Sequence, residues 1–201
     1  MEKKIYAPVD EVRRRLGSLE YKTGNIIKNA ANRAITTGRK VIRQETANTY
    51  NLKNQKEVEE DLNVRRATSS FPSAILTYKG SHKNLYDFGN NSVVNPRFPI
   101  KSSSKYNPDP PYIAVKVMRN EDAVALTGRP KPFVQEIPNS EKIAVFQREN
   151  DNSDAEIRGV SAPAIPQIVR NETTIERFDK EAGEMFEERI EHEITRVLEG
   201  H

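Results

Sequence analysis

The sequence contains no cysteine, which excludes disulfides, thiol catalysis and any zinc site built on cysteine. It also lacks any run near the about 18 apolar residues that a membrane span needs. Residues 1–8 hold no apolar stretch of signal-peptide length. The chain is therefore expected to be soluble, without a cleavable export signal and without a membrane partner. Apolar residues are scarce overall: 35% of the 201 residues are hydrophobic and 30% charged, with a mean hydropathy of −0.77. A chain this polar has a modest core, long solvated loops, or surfaces that find partners. The net charge of +3 is too weak a bias to argue for nucleic acid by itself, because dedicated binders concentrate their basic residues in one stripe.

Catalytic signatures are missing as well. No G-x-x-x-x-G-K-[ST] phosphate loop and no G-x-S-x-G elbow occurs. The three histidines are His82, His192 and His201. His192-Glu193 opens like a zinc-protease helix, but that motif needs a second histidine at 196, where Arg196 stands. Glu188 and His192 are one helical turn apart, a spacing that a shared metal or a solvated helix face explains, the second more simply. His82 sits in a turn-like Gly80-Ser81-His82. Asp87, beside Phe88, is the one acid in an apolar local setting. These residues do not assemble a reaction, so the expectation is a non-enzyme with no catalytic residue, no cofactor and no metal.

What is present is a pattern of helices, then strands, then a helix, which gives an α+β class. Residues 8–16 form a first short helix. Residues 23–50 carry the strongest periodicity, with Ile27, Ala30, Ala31, Ala34, Ile35, Gly38, Val41, Ile42 and Glu45 at three- and four-residue spacing. This long helix, roughly 40 Å at 1.5 Å per residue, has a stripe of alanine and glycine that lets a neighbouring element approach closely. Residues 53–62 read as a short polar helix, and 73–78 as an alternating strand with Ala74, Leu76 and Tyr78 on one face. Residues 89–111 are turn and loop chemistry throughout, expected to be a flexible loop. Strands are expected at 112–118, 123–126, 133–137, 142–148 and 155–160, the last two flanking a hairpin loop. Pro163 to Pro166 reads as a stiff hinge. Thr173-x-x-Glu176 is a capping-box pattern for an acidic amphipathic arm over about 173–199. The expectation is one domain over 1–201. A long Ala-rich helix packs across a small, mainly antiparallel sheet formed by residues 112–160, and a C-terminal amphipathic helix follows.

Charge is distributed unevenly. Arg13, Arg14, Arg15, Lys28, Arg33, Arg39, Lys40 and Arg43 make the N-terminal helices basic, while Glu181, Glu184, Glu187, Glu188 and Glu191 make the last one acidic. Two solvated faces explain this. So does complementarity between neighbouring copies, which sets orientation and specificity more than affinity. Contact of Arg39, Lys40 and Arg43 with DNA or an acidic partner is a third explanation; without stacking aromatics it would be non-specific and salt-sensitive.

Several short motifs occur in a suggestive order. They are Ile27-x-x-Ala30-x-Asn32-Arg33-Ala34, Tyr50-Asn51-Leu52-Lys53, Val64-Arg65-Arg66-Ala67, Pro132-Phe133, Ile143-x-Val145-Phe146-x-Arg148, Ile157-x-Gly159-x-Ser161-x-Pro163 and Pro166-Gln167-Ile168. In this order, over about residues 23–198, the chain resembles the prophage minor tail protein Z family. The loop at 90–111 departs from the pattern, being longer and richer in proline. The resemblance implies a structural subunit of a bacteriophage or phage-derived tail. Its role would be tail completion or head–tail joining, in the virion at the head-proximal end of the tail tube after assembly in the host bacterial cytoplasm. It further implies a ring of copies, six-fold like the tube, touching tail-tube and head-completion or neck proteins and weakly contacting DNA in the lumen. Phe146, Arg148, Pro163, Pro166, Phe178, Phe186 and Ile190 are the candidate subunit-interface residues. The alternative function is a sequence-independent DNA-binding protein using the basic N-terminal helices.

Overall fold

A computed structural model describes residues 1–5, 7–54, 56–88, 113–137, 139–140 and 143–200; the expected loop at 89–111 and His201 lie outside them. In chain order the elements are β1 (Glu2–Lys4), α1 (Val9–Leu16), a 3-10 segment (Gly17–Lys22), α2 (Thr23–Thr49), α3 (Glu57–Glu60), β2 (Leu62–Arg65) and β3 (Ile75–Tyr78). Then follow β4 (His82–Asn84), a 3-10 turn (Leu85–Asp87), β5 (Ile113–Val115), β6 (Val124–Leu126), β7 (Phe133–Glu136), β8 (Ile143–Arg148), β9 (Ile157–Gly159), β10 (Ser161–Ala164), α4 (Ile165–Ile168) and α5 (Glu172–Leu198). Every strand pairing among the described residues is antiparallel. The class is α+β, as the order of patterns implies. Read as one domain from sequence, the chain divides into two compact units, Met1–Thr46 with Val58–Gly80 and Pro166–His201, and Ala47–Glu57 with Ser81–Ile165.

The first unit is built on two helices of 27 residues each, α2 and α5. On α2 the expected stripe is the buried one: Ile27, Ala30, Ala31, Ala34, Ile35, Gly38, Val41 and Ile42 are all inside. On α5 the buried face is Phe178, Ala182, Phe186, Ile190, Ile194 and Val197. The small residues of α2 do what their size allows: at Gly38 an added Cβ would overlap the ring of Phe178. The C-terminal helix, read from sequence as an amphipathic arm, thus packs its apolar face within its own unit. Its cap differs from the expected box. Asn171 Oδ1 accepts from the Thr173 backbone N–H at 3.1 Å, and the helix starts one residue earlier, at Glu172.

The sheet of this unit has the order β1-β3-β2. Leu76 at its centre is opposite Lys3 on one side and Val64 on the other. Ala74, Leu76 and Tyr78 are buried and Ile75 and Thr77 half-buried, the alternation expected of β3. Two strands were not foreseen. The helix expected at 53–62 contracts to Glu57–Glu60 because Leu62–Arg65 is drawn into a ladder with β3. The sheet grouped with α2 is therefore this one; the strands between 113 and 160 belong to the other unit.

In the second unit β8 is the middle strand of β7-β8-β9. Phe146 lies opposite both Phe133 and Gly159, and the rings of Phe133 and Phe146 stack at 6.0 Å. β5 and β6 form a separate pair. The stretch read as a proline hinge is instead β10 running into the short α4, with β10 paired to β4. Pro163 is tolerated there because it falls in the irregular step between the pairs Ser161↔Asn84 and Ala164↔His82, away from any ladder N–H.

Candidate functional site

Two sets of exposed charged residues that have no partner among the described residues lie on the outer faces of α2 and α5. On α2, Arg33, Lys40 and Arg43 are exposed, and none forms a hydrogen bond or ion pair with another described residue. Helical geometry puts them on one side over about 15 Å, with Thr36 and Gln44 among them and no acid. Arg39 does not join this stripe. Its Nε donates to Glu59 at 3.2 Å and its Nη2 lies 3.0 Å from the same carboxylate. Of the three residues expected to face DNA or an acidic partner, Lys40 and Arg43 are open and Arg39 is engaged.

A second basic feature read from the sequence dissolves. Arg15 meets Glu191 through two contacts of 2.5 and 2.6 Å, a fork-on-carboxylate geometry. The hydrogen bonds hold the Glu191 carboxyl below its ordinary range and raise the Arg15 guanidinium. Arg13 lies 3.5 Å from Asp10 and 3.9 Å from Glu20. Two arginines of the run thus pair at the surface with acids of the same unit, and Arg14 is exposed without a partner among the described residues.

The acidic side of the unit is α5. Glu176, Glu184, Glu187 and Glu188 are exposed and unpaired among the described residues. Two cations lie among them: Lys180, which is exposed, and Arg177, which is held by Glu45 and Glu181. Beside them is a hollow of about 420 Å³ between α1 and α5. Its floor includes Val12, Phe186 and Ile190, and its rim includes Glu11, Glu187 and Glu191. Several other carboxylates of the unit are occupied internally. Arg177 bridges Glu45 and Glu181, Lys3 meets Asp179 at 2.7 Å, and buried Glu193 is 2.6 Å from Arg189 and accepts from Asn29 at 3.3 Å.

The seven candidate interface residues separate on burial. Phe178, Phe186 and Ile190 are 1%, 6% and 4% exposed, so they form the core of their own unit rather than a surface for a neighbour. Phe146 is half-buried against Phe133. Arg148 Nη1 donates to the Ala155 carbonyl at 3.0 Å, tying β8 to the segment leading into β9. Pro166 is half-buried and Pro163 exposed. The motif residues thus serve the fold, while the open charged side chains are mostly ones that no motif singled out.

Asp87 is a turn residue: its Oδ2 accepts from Asn84 N at 3.0 Å while Asn84 Oδ1 accepts from Tyr86 N at 2.9 Å, a reciprocal cap. His82 Nδ1 lies 3.1 Å from the Ala162 carbonyl, and His192 is exposed. Among the described residues no three histidine, aspartate or glutamate side chains are grouped to hold a metal ion. No helix of the described residues is long and apolar enough to cross a membrane. Sequence reasoning missed buried Glu193 and the role of Asn32, which bonds both polar groups of the Ala67 backbone; one available signal was an amide on the flank of an alanine stripe. Comparison with known proteins returns no matching family model, no matching curated protein and no matching solved structure.

Proposed function

We propose that the chain is a structural subunit of a bacteriophage or phage-derived tail, acting in tail completion or head–tail joining within a ring at the head-proximal end of the tail tube. Two things support this reading. One is the ordered resemblance over about residues 23–198 to the minor tail protein Z family. The other, which carries it physically, is the separation of unpaired charge on one unit: Arg33, Lys40 and Arg43 on α2, and Glu184, Glu187 and Glu188 on α5. Two such faces are ordinary solvated surface in a solitary protein, and in a repeating subunit they also set orientation between copies. Incubation of purified chain with isolated tail tubes is the test. Stoichiometric capping of one end is expected; a monomer that ignores tube ends would remove the reading.

Lys40 and Arg43 also support the alternative of sequence-independent DNA binding. That reading requires affinity for random duplex that falls steeply with salt and is lost when both residues are replaced.

A further inference from the structure

We infer that the partner of the basic face of α2 is the acidic face of α5 on a second copy of this chain, joined head to tail. The inference deepens the tail-ring reading by naming its contact surfaces, and it stands without that reading because it rests on charge, exposure and shape within one unit.

The lengths agree. Arg33, Lys40 and Arg43 extend over about 15 Å of α2, and Glu176 to Glu188 over about 18 Å of α5. Each face is dominated by one sign: no acid interrupts the basic stripe, and the acidic one holds two cations, Lys180 and an Arg177 already tied to Glu45 and Glu181. Both sets are unpaired among the described residues, so the charges are available to a partner. Other ions of the unit do find internal partners, as Arg15–Glu191, Arg39–Glu59 and Lys3–Asp179 show.

The acidic face offers shape as well as charge. Glu187 belongs both to the open acids of α5 and to the rim of the hollow floored by Val12, Phe186 and Ile190. A lysine or arginine entering there would lay its methylene stem on the apolar floor and keep its cation among Glu11, Glu187 and Glu191. Arg15 lines the same hollow and already answers the Glu191 charge, so Glu11 and Glu187 are the carboxylates left for the incoming cation. Because the two faces differ, the contact is heterologous. It propagates from copy to copy and closes into a ring only if the rotation per subunit allows it.

Charge reversal tests the pairing with a built-in rescue. One variant carries Lys40→Glu and Arg43→Glu, the other Glu184→Lys and Glu188→Lys. All four positions are exposed helix sites at which lysine and glutamate are equally good helix formers, and far-ultraviolet circular dichroism with thermal melting checks that both variants fold. In sedimentation at low salt, wild-type chain should self-associate. Each variant alone should associate at least about tenfold more weakly, and an equimolar mixture should recover wild-type association to within about threefold. Rescue arises because one variant presents two acidic faces and the other two basic ones. Wild-type chain that stays monomeric, or a mixture that fails to associate while both variants fold, would overturn the proposal. So would association untouched by Lys40→Glu and Arg43→Glu while random-duplex binding vanishes, since the basic face would then belong to nucleic acid. Copies that pair as described but leave tail tubes uncapped would defeat the tail reading alone.

Discussion

Asn32 and Ala67 exchange two hydrogen bonds: the Asn32 amide donates to the Ala67 carbonyl at 3.0 Å, and its Oδ1 accepts from the Ala67 N–H at 2.9 Å. Asn32 is on α2 and Ala67 follows β2, so one side chain pins the exit of the sheet to the long helix. It also joins two of the sequence motifs, Ile27-x-x-Ala30-x-Asn32-Arg33-Ala34 and Val64-Arg65-Arg66-Ala67. Ala67 is only 4% exposed, so its backbone has no solvent to turn to. Asn32→Ala should cost about 2 kcal/mol in urea unfolding, since two buried groups lose partners while alanine regains a few tenths in helix propensity. Asn32→Asp, which keeps the acceptor but sets a carboxylate oxygen against the Ala67 carbonyl, should cost at least as much.

Gly38 lies beneath the ring of Phe178 with no room for a Cβ. Gly38→Ala gains about 1 kcal/mol of helix propensity but forces the α2–α5 contact to shift, an overpacking cost of about 1–3 kcal/mol. The net effect should be destabilising, and in a Phe178→Leu background the same substitution should turn neutral or favourable. A thermal-melting double-mutant cycle measures this; additive effects would mean that the two residues do not meet.

The Arg15–Glu191 pair gives a pH dependence of definite sign. Its hydrogen bonds place the folded Glu191 below its unfolded value of 4.5. The stabilisation is therefore complete above that value and is lost as pH falls through the lower folded one. Urea midpoints between pH 7 and pH 2.5 should drop more for wild type than for Glu191→Gln. Parallel curves would show that the pair contributes nothing, as many exposed pairs do.

At the other end of the scale, burial pushes the Tyr78 phenol well above the ordinary tyrosine range, with Glu59 adding to the effect and Arg39 opposing it. Folding then favours the protonated form, so this contribution is intact below the unfolded value of about 10 and is lost as pH rises beyond it. Tyr78→Phe should remove part of the alkaline loss of stability between pH 10 and pH 11.5, followed by circular dichroism.

Long-period features were legible in the sequence because helix faces repeat locally. The α2 stripe from Ile27 to Ile42 is buried where the spacing puts it, and so is most of the apolar face of α5, although Ile175 and Met185 are only half-buried and Leu198 is exposed. The alternation of β3 was equally plain. What escaped were strands of three or four residues, such as Glu2–Lys4, Leu62–Arg65 and His82–Asn84, whose stability comes from distant partners such as Thr77, Leu76 and Ala164. Ser161–Ala164 was misread because its proline suggested a hinge, when the ladder simply steps around Pro163.

The site divided in the same way. Lys40 and Arg43 were visible as basic residues on a polar helix face, and they are exposed. Arg39 has the same local signature, yet Glu59, outside α2, takes it out of the surface; no spacing rule reports that. Phe186 and Ile190 were visible as an apolar face, but periodicity does not say whether such a face meets a neighbour or the chain's own core.

Deleting the gene from the genome that carries it tests the tail reading most directly. Electron microscopy of the resulting lysate should show filled heads and separate, unjoined tails, with infectivity restored when wild-type chain is supplied in trans. Normal, infectious particles in the absence of the chain would contradict it.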